Sequence, residues 1–415
     1  MGTINGGAVV NIFLNTLGLF DGRLRTHGEH VGYILYKMLE FDDTYSFDER
    51  RIFLVLGALH DFAAYKTDKI DDLLSYDLKD VWPHSVYGYF YMQYLSPFAD
   101  YARIFLLHHL NHAKLDALKP PHQDVIEMVR LADSIDLMIY HGQYSEVNMV
   151  RQLGPHIAGS YVKLFLTANA HYHIIENIMD DTYRQELDIL TESIDWEQGV
   201  ADQLLKTLVY TIDFKNESTV LRTLNANAMC EYLADKMKLT PDEKSDLQYA
   251  SLVYDLGMLG VPDSVLNAPR RLTPSERELV EGHVNAVEKI LKPHVSDGIL
   301  QIAIRHHERL DGLGYPRGLK EKDLSLPQRI LAAADVMAAL QTDKEYKPAL
   351  GKQDVIRALL REVKEHKLGM DIVRVIERNY DELMNTVKQQ GADLYGNYLT
   401  VKQSFPSVLQ QFQQI

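Results

Sequence analysis

The 415-residue sequence holds a single cysteine, Cys230, which excludes an internal disulfide and points to a reducing compartment such as the cytoplasm. Positive charge is in deficit. Against 43 Lys and Arg stand 58 Asp and Glu, a formal net charge of -15, so neither DNA nor an anionic membrane is an expected partner. No run approaches the ~18 apolar residues of a membrane span. The most apolar N-terminal stretch, GAVVNIFLNTLGLF, is broken by Asn11, Asn15 and Thr16 and has no basic leader, so it reads as a buried helix and not a signal peptide. Period-two alternation of β-branched residues is scarce and low-complexity segments are absent, which argues against a sheet protein and against a disordered one.

What is present is 46% apolar and 24% charged residues, a composition that can bury a sizeable core. Glycine and proline fall between segments of helical period, and the chain reads as all-α. Ser46-Phe47-Asp48-Glu49 has the spacing of a capping box, in which serine caps a free N–H and glutamate reaches back. Thr240-Pro241-Asp242-Glu243 and Thr273-Pro274-Ser275-Glu276 repeat it with proline in the first turn.

A weak internal repeat organises the chain. His60-Asp61 follows the apolar segment IFLVLGAL, and Tyr254-Asp255 follows the similar LQYASLV. His84 pairs with His283, His108-His109 with His306-His307, Asp133 in ADSIDLM with Asp335 in ADVMAAL, and His27 with Asn225. These offsets all lie between 194 and 202 residues, which implies tandem copies of one helical domain, residues 1–200 and 201–415. The join near IDWEQGVADQ has no Gly/Pro-rich linker, so close packing of the copies is expected.

The first copy supplies His27, His60, Asp61, His84, His108, His109 and Asp133 on successive predicted helices. Imidazole and carboxylate suit borderline divalent metals, and a helical bundle can point them inward. Seven ligands exceed the needs of one ion and fit a two-metal centre with Asp61 between the ions, able to activate water against a phosphoester. His30, His122 and His141 are assigned to packing or surface; His112, four residues after His108, is expected to share its helix face and is the foremost exception to that class.

The segment IRHHERLDGLGYPRGL, with YDLGMLGVPDSVL, LTPSERELVEGHVNAVEKIL, LSLPQRILAAADVMAAL and TDKEYKPAL, resembles the HD-GYP branch of the HD superfamily of metal-dependent phosphohydrolases over residues 220–385. Residues 23–140 resemble only the broader HD pattern, with LNHAKLDALKPPH where the Gly-Tyr-Pro segment would follow. The resemblance implies two tandem HD-type helical bundles, two divalent transition metals (iron or manganese) per active site, and a cyclic dinucleotide such as cyclic di-GMP, or another phosphoester, as substrate. HD proteins with mixed-valence iron can also oxidise substrates, so the ligand set leaves hydrolysis and oxidation both open.

The departures divide the copies. In the second, the motif histidine is Tyr254, the motif lysine is Met258 and the first-helix histidine is Asn225, while Asp255, His283, His306, His307 and Asp335 remain as a residual metal or ligand set. In the first, the motif lysine falls near Ala64 or Tyr65, with Lys66 out of register, and the branch's extra glutamate falls near Arg23. The expectation is therefore an N-terminal phosphodiesterase, with Asp61 and Lys66 in the chemistry and Lys66, Arg103 or Lys114 neutralising phosphate. The C-terminal copy is expected to regulate or bind through Arg305, Arg309, Asp311, Gly314, Tyr315, Pro316 and Arg317, helped by Lys320. Its ligand would be the cyclic dinucleotide or a diguanylate cyclase-type protein. The alternative is a signalling module without catalysis; a homodimer is consistent with either.

Overall fold

The computed structural model describes residues 3–66, 70–74, 82–213, 222–268, 270–341 and 350–413. The described residues are helical and contain no β-strand, only an isolated bridge between Asp311 and Lys320. The segment TDKEYKPAL lies, apart from Leu350, outside them. Among the described residues no helix is long and apolar enough to cross a membrane. The chain is all-α and forms two compact units, Asn5–Thr207 with Thr400–Ile415, and Leu208–Leu399 with Met1–Ile4.

In the N-terminal unit, α1 (Gly6–Phe20) buries Val9, Val10, Ile12, Phe13, Leu14 and Leu17, as expected of a buried helix. Asp21 caps α2 (Gly22–Asp42) by accepting from the Arg23 N–H. The Ser46 capping box opens α3 (Phe47–Ala58), with Glu49 accepting from the Ser46 N–H at 2.9 Å. Next come α4 (Trp82–Leu95), α5 (Ala102–Leu107) and α6 (Gln123–Tyr140). Helix α2 is the centre of this bundle: α3 and α6 both pack along it, while α4 packs against α5. The division between units falls inside α7 (Gln198–Asp213), whose Thr207 hydroxyl donates to the Leu95 carbonyl at 2.8 Å. Residues 400–413 complete the N-terminal unit, where Phe405 stacks on Tyr87 at 3.9 Å and Phe412 meets Trp82 at 5.2 Å.

The C-terminal unit repeats the plan. Helix α8 (Arg222–Lys236) packs against α9 (Pro241–Val253) and α12 (Leu326–Gln341); α10 (His283–Leu291) and α11 (Asp297–Ala303) lie between them in sequence. The capping boxes at Thr240 and Thr273 both form. The last helix, α13 (Met370–Gln413), has non-helical backbone at Asn379 and continues past the division between the units.

The close approach of α2 to α3 is what sets His27 beside His60, and it depends on Gly28. A methyl group there would lie 2.2 Å from the Ala58 carbonyl oxygen, whereas at Gly22 it would meet nothing within 4 Å. Backbone atoms cannot yield as a flexible side chain can, so overpacking of about 1–3 kcal/mol is expected at Gly28. Thermal denaturation should therefore show Gly28→Ala clearly destabilised and Gly22→Ala neutral or slightly more stable, since alanine favours helix.

Candidate metal centre

The N-terminal bundle gathers the seven candidate ligands into two groups. His27, His60 and Asp133 form one, and Asp61, His84, His108 and His109 the other, with ligand atoms inside each group within 4.8 Å of one another. Asp61 stands between them. Its Oδ1 lies 3.0 Å from His84 Nε2 and 3.4 Å from His108 Nε2. Its Oδ2 faces His60 Nε2 at 3.5 Å and His27 Nε2 at 3.8 Å. Asp133 Oδ1 closes the first group 3.4 Å from His27 Nε2. His84 and His109 bring their Nε2 atoms to 3.0 Å.

Local backbone geometry aims these rings. His60 Nδ1–H donates to the Gly57 carbonyl and His108 Nδ1–H to the Phe105 carbonyl, both at 2.8 Å. A carbonyl only accepts, so the proton is fixed on Nδ1 and the Nε2 lone pair points into the centre. Those Nε2 atoms and Asp61 Oδ1 are buried without a hydrogen-bond partner. Buried polar groups are rarely left so, and a divalent ion accepting their lone pairs accounts for all three. The 3.0 Å between His84 and His109 also suits two ligands of one ion with metal–nitrogen bonds of about 2.1 Å. The residues present therefore fit the metal.

The electrostatics agree. Burial, with the neighbouring His27 and His108, holds the His60 pKa down to about 4, despite the opposing Asp61 charge. Burial and the adjacent His108 and His84 depress His109 well below the usual imidazole range. Both are thus neutral and able to ligate at neutral pH. Burial opposes ionisation of Asp61, but His60 and His84 outweigh it and hold the carboxyl well below its usual range. His27 differs: burial disfavours its cation, yet Asp133 and Asp136 together raise its pKa well above 6.5. An ion at its Nε2 must displace that proton.

Asp136 is the residue sequence reasoning missed. It accepts from His27 Nδ1 at 2.6 Å and from His30 Nδ1 at 2.5 Å. It sits one turn after Asp133 on α6, so its spacing was the available signal. Arg130, one turn before, donates to the His109 carbonyl. The expectation for His112 is corrected: His108 caps the end of α5 and His112 begins a new helix, so the two share no helix face. His112 pairs instead with Glu127 at 2.9 Å. His122 packs against Phe53 and Tyr101, and His141 bonds the Leu74 carbonyl. Lys66 ends the 3-10 turn after Asp61 with its ammonium 5.9 Å from the Tyr87 ring centre, and Arg103 is exposed.

Among the described residues of the C-terminal unit one group of that kind forms, His283, His306 and His307. His283 and His306 approach at 3.2 Å, and Asp255 Oδ1 lies 3.5 and 3.7 Å from their Nε2 atoms. Their Nδ1 atoms donate to the Val280 and Ala303 carbonyls, as in the first copy. Asp335 is held on the other side by Arg222 at 2.7 Å and by the Tyr254 hydroxyl at 3.3 Å.

The loop from Arg309 to Lys320 is organised by Glu308, which sequence reasoning passed over. This carboxylate is 1% exposed and accepts from the Arg317 and Leu319 N–H groups at 2.7 and 2.8 Å. Asp311 caps the turn through the Leu313 N–H, and Leu313 is 84% exposed at the tip. Gly314 is obligatory, since a methyl group would lie within 2.6 Å of three backbone atoms at 307–309. Tyr315, before Pro316, lays its ring 4.6 Å from His307. Arg305 contacts Gln328, Arg309 donates to the His306 and Glu308 carbonyls, and Arg317 pairs with Glu288.

Fold and site together define an all-α protein with buried His/Asp clusters that could hold divalent cations. Residues 206–372 match the family described as HD domain. Over 387 residues the chain is 25% identical to the 3'3'-cGAMP-specific phosphodiesterase 1 of Vibrio cholerae, covering 88% of this chain and 89% of that protein. It is 32% identical over 161 residues to the cyclic di-GMP phosphodiesterase of Thermotoga maritima, which is 38% of this chain and 44% of that protein. The crystal structure of a cyclic GMP-AMP-specific phosphodiesterase of V. cholerae shares the fold, with a TM-score of 0.56 at 15% identity over 92% of this chain and 98% of that one. Residues 206–372 thus resemble an HD domain, and along most of its length the chain resembles the 3'3'-cGAMP-specific phosphodiesterase 1 of V. cholerae.

Asp136 gives the centre a test that spares the ligands. Removing the carboxylate that orients a metal-bound imidazole typically weakens affinity about 10–100-fold. Titration of metal-stripped protein with Mn2+ should show that loss in Asp136→Asn for the ion at His27, and no change in His112→Ala.

Proposed function

We propose that the N-terminal unit hydrolyses a phosphodiester bond of a cyclic dinucleotide, and that the C-terminal unit binds such a ligand and regulates it. The carrying observation is the Asp61 carboxylate, whose two oxygens each face a separate group of imidazoles. The similarity along 88% of the chain to a 3'3'-cGAMP-specific phosphodiesterase, and of a shorter part to a cyclic di-GMP phosphodiesterase, supports this substrate class.

His27, His60, Asp61 and Asp133 would hold one ion, and Asp61, His84, His108 and His109 the other. Ions bound there supply Lewis acidity and a nucleophilic water to the phosphoester. The chain's own residues do the rest. Gly57, Phe105 and Asp136 lock the tautomers of His60, His108 and His27, so these three ligands need not reorient during turnover. Burial excludes bulk water from Asp61, His60 and His108 and strengthens their charge interactions. Lys66, directly after the Asp61 turn, is the nearest cation in sequence for the phosphate.

In the second unit the Gly-Tyr-Pro loop places Tyr315 beside His307, an aromatic face against which a nucleobase can stack.

The assay is hydrolysis of 3'3'-cGAMP and cyclic di-GMP by the full chain with Mn2+, products resolved by chromatography. Asp61→Asn is expected to reduce kcat by at least about 1000-fold, as Asp61 would serve as a ligand to both groups. Undiminished turnover by Asp61→Asn would assign the chemistry elsewhere. A second outcome is separable: Tyr315→Ala should weaken ligand binding to the Asp61→Asn chain, measured by calorimetry, by roughly 1–3 kcal/mol, the worth of one stacked base.

A further inference from the structure

Superposing the two copies in sequence leaves one position unexplained by loss alone. The first helix carries His27 in the N-terminal copy and Asn225 in the C-terminal one, and His60 becomes Tyr254. Two imidazoles of the first group are therefore gone, but both carboxylates, Asp255 and Asp335, are kept and are buried. Two buried anions left without a cation would be strongly destabilising.

The cation comes from the helix itself. Arg222 lies one turn before Asn225 on α8, so its side chain shares that face. Its Nη2 is 2.7 Å from Asp335 Oδ1 and 4.0 Å from Asp255 Oδ2. Burial disfavours the guanidinium charge, yet Asp335 and Asp255 outweigh it and raise its pKa, while Arg222 holds the Asp335 carboxyl well below its usual range despite burial. The Tyr254 hydroxyl donates to the same Asp335 oxygen at 3.3 Å. At the repeat offset of His27 and Asn225, the N-terminal copy has Leu24 where Arg222 stands, a buried residue with no charge to offer.

We infer that Arg222 takes the place of one metal ion in the C-terminal unit, leaving a one-ion centre at His283, His306, His307 and Asp255. The guanidinium is a tethered positive charge that bonds Asp335 and faces Asp255 without supplying an open coordination position. The surviving group keeps what an ion needs: two imidazoles with Nδ1 fixed on backbone carbonyls and Nε2 atoms converging at 3.2 Å on the Asp255 side. A single ion next to a fixed guanidinium can anchor a phosphate beside Tyr315, but it lacks the second ion that clamps attacking and leaving oxygens together. This assignment rests on reading the N-terminal groups as metal ligands, and it explains why the second unit would bind where the first would cleave.

The test counts Mn2+ per full chain by elemental analysis after chelation and reloading. His60→Ala with Asp61→Ala empties the N-terminal centre, and one equivalent should remain; adding His306→Ala should remove it. Two equivalents in the first variant, or none, would overturn the one-ion centre. If the N-terminal reading were the one at fault, metal content would not fall between wild type and the His60→Ala, Asp61→Ala chain. In that same background Arg222→Met should lower the metal-free Tm by on the order of 10 °C. It should also bind a second Mn2+ that restores at least half of the loss. Unchanged Tm and stoichiometry would refute the substitution of guanidinium for metal. Arg222→Lys, which keeps the charge, should fold and hold one equivalent; an Arg222→Lys chain that unfolds or takes up two would count against it as well.

Discussion

A carboxylate that is buried yet ionised is the constraint around which the N-terminal unit is built. Desolvating Asp61 opposes its charge by several kcal/mol unless positive or ligating partners surround it. Four imidazoles do so, two at each oxygen. Burial holds His60 among them neutral, which leaves its lone pair to a divalent ion. Packing decides whether they can meet: α2 must lie close enough on α3 for His27 and His60 to converge, and Gly28 is the position that allows it.

The two copies solve the same charge problem differently. One frame of helices, with capping boxes and histidines held on the carbonyl three residues earlier, recurs in both. In the first, imidazoles meet the carboxylates and leave lone pairs unsatisfied. In the second, Arg222 and Tyr254 meet Asp335 directly and leave only the histidine group open. A tethered cation neutralises without offering exchangeable coordination positions, which is what a hydrolytic site requires and a binding site does not.

The Gly-Tyr-Pro loop shows how a signature segment serves structure before ligand. Glu308 ties its two limbs together by accepting two backbone N–H groups, and Gly314 lets the chain fold back on residues 307–309. Arg309 and Arg317 spend part of their hydrogen-bonding capacity on this scaffold. Their charge still raises the local potential, but Tyr315 is the loop residue that lays a ring against His307.

Sequence by itself determined the helical class, the capping boxes and the gathering of the histidines and aspartates, because these follow from local period and from a repeat of chemically alike residues. It pointed to the loss of ligands at Asn225 and Tyr254 for the same reason. What it did not determine was the second layer. Asp136, Glu308 and Arg222 each look like ordinary charged positions in a helix or turn, and His112 looked like a neighbour of His108. Their partners lie between 9 and 113 residues away. Only tertiary packing decides which of many charged side chains ends up desolvated against which, and desolvation is what turns a surface charge into a constraint on the site.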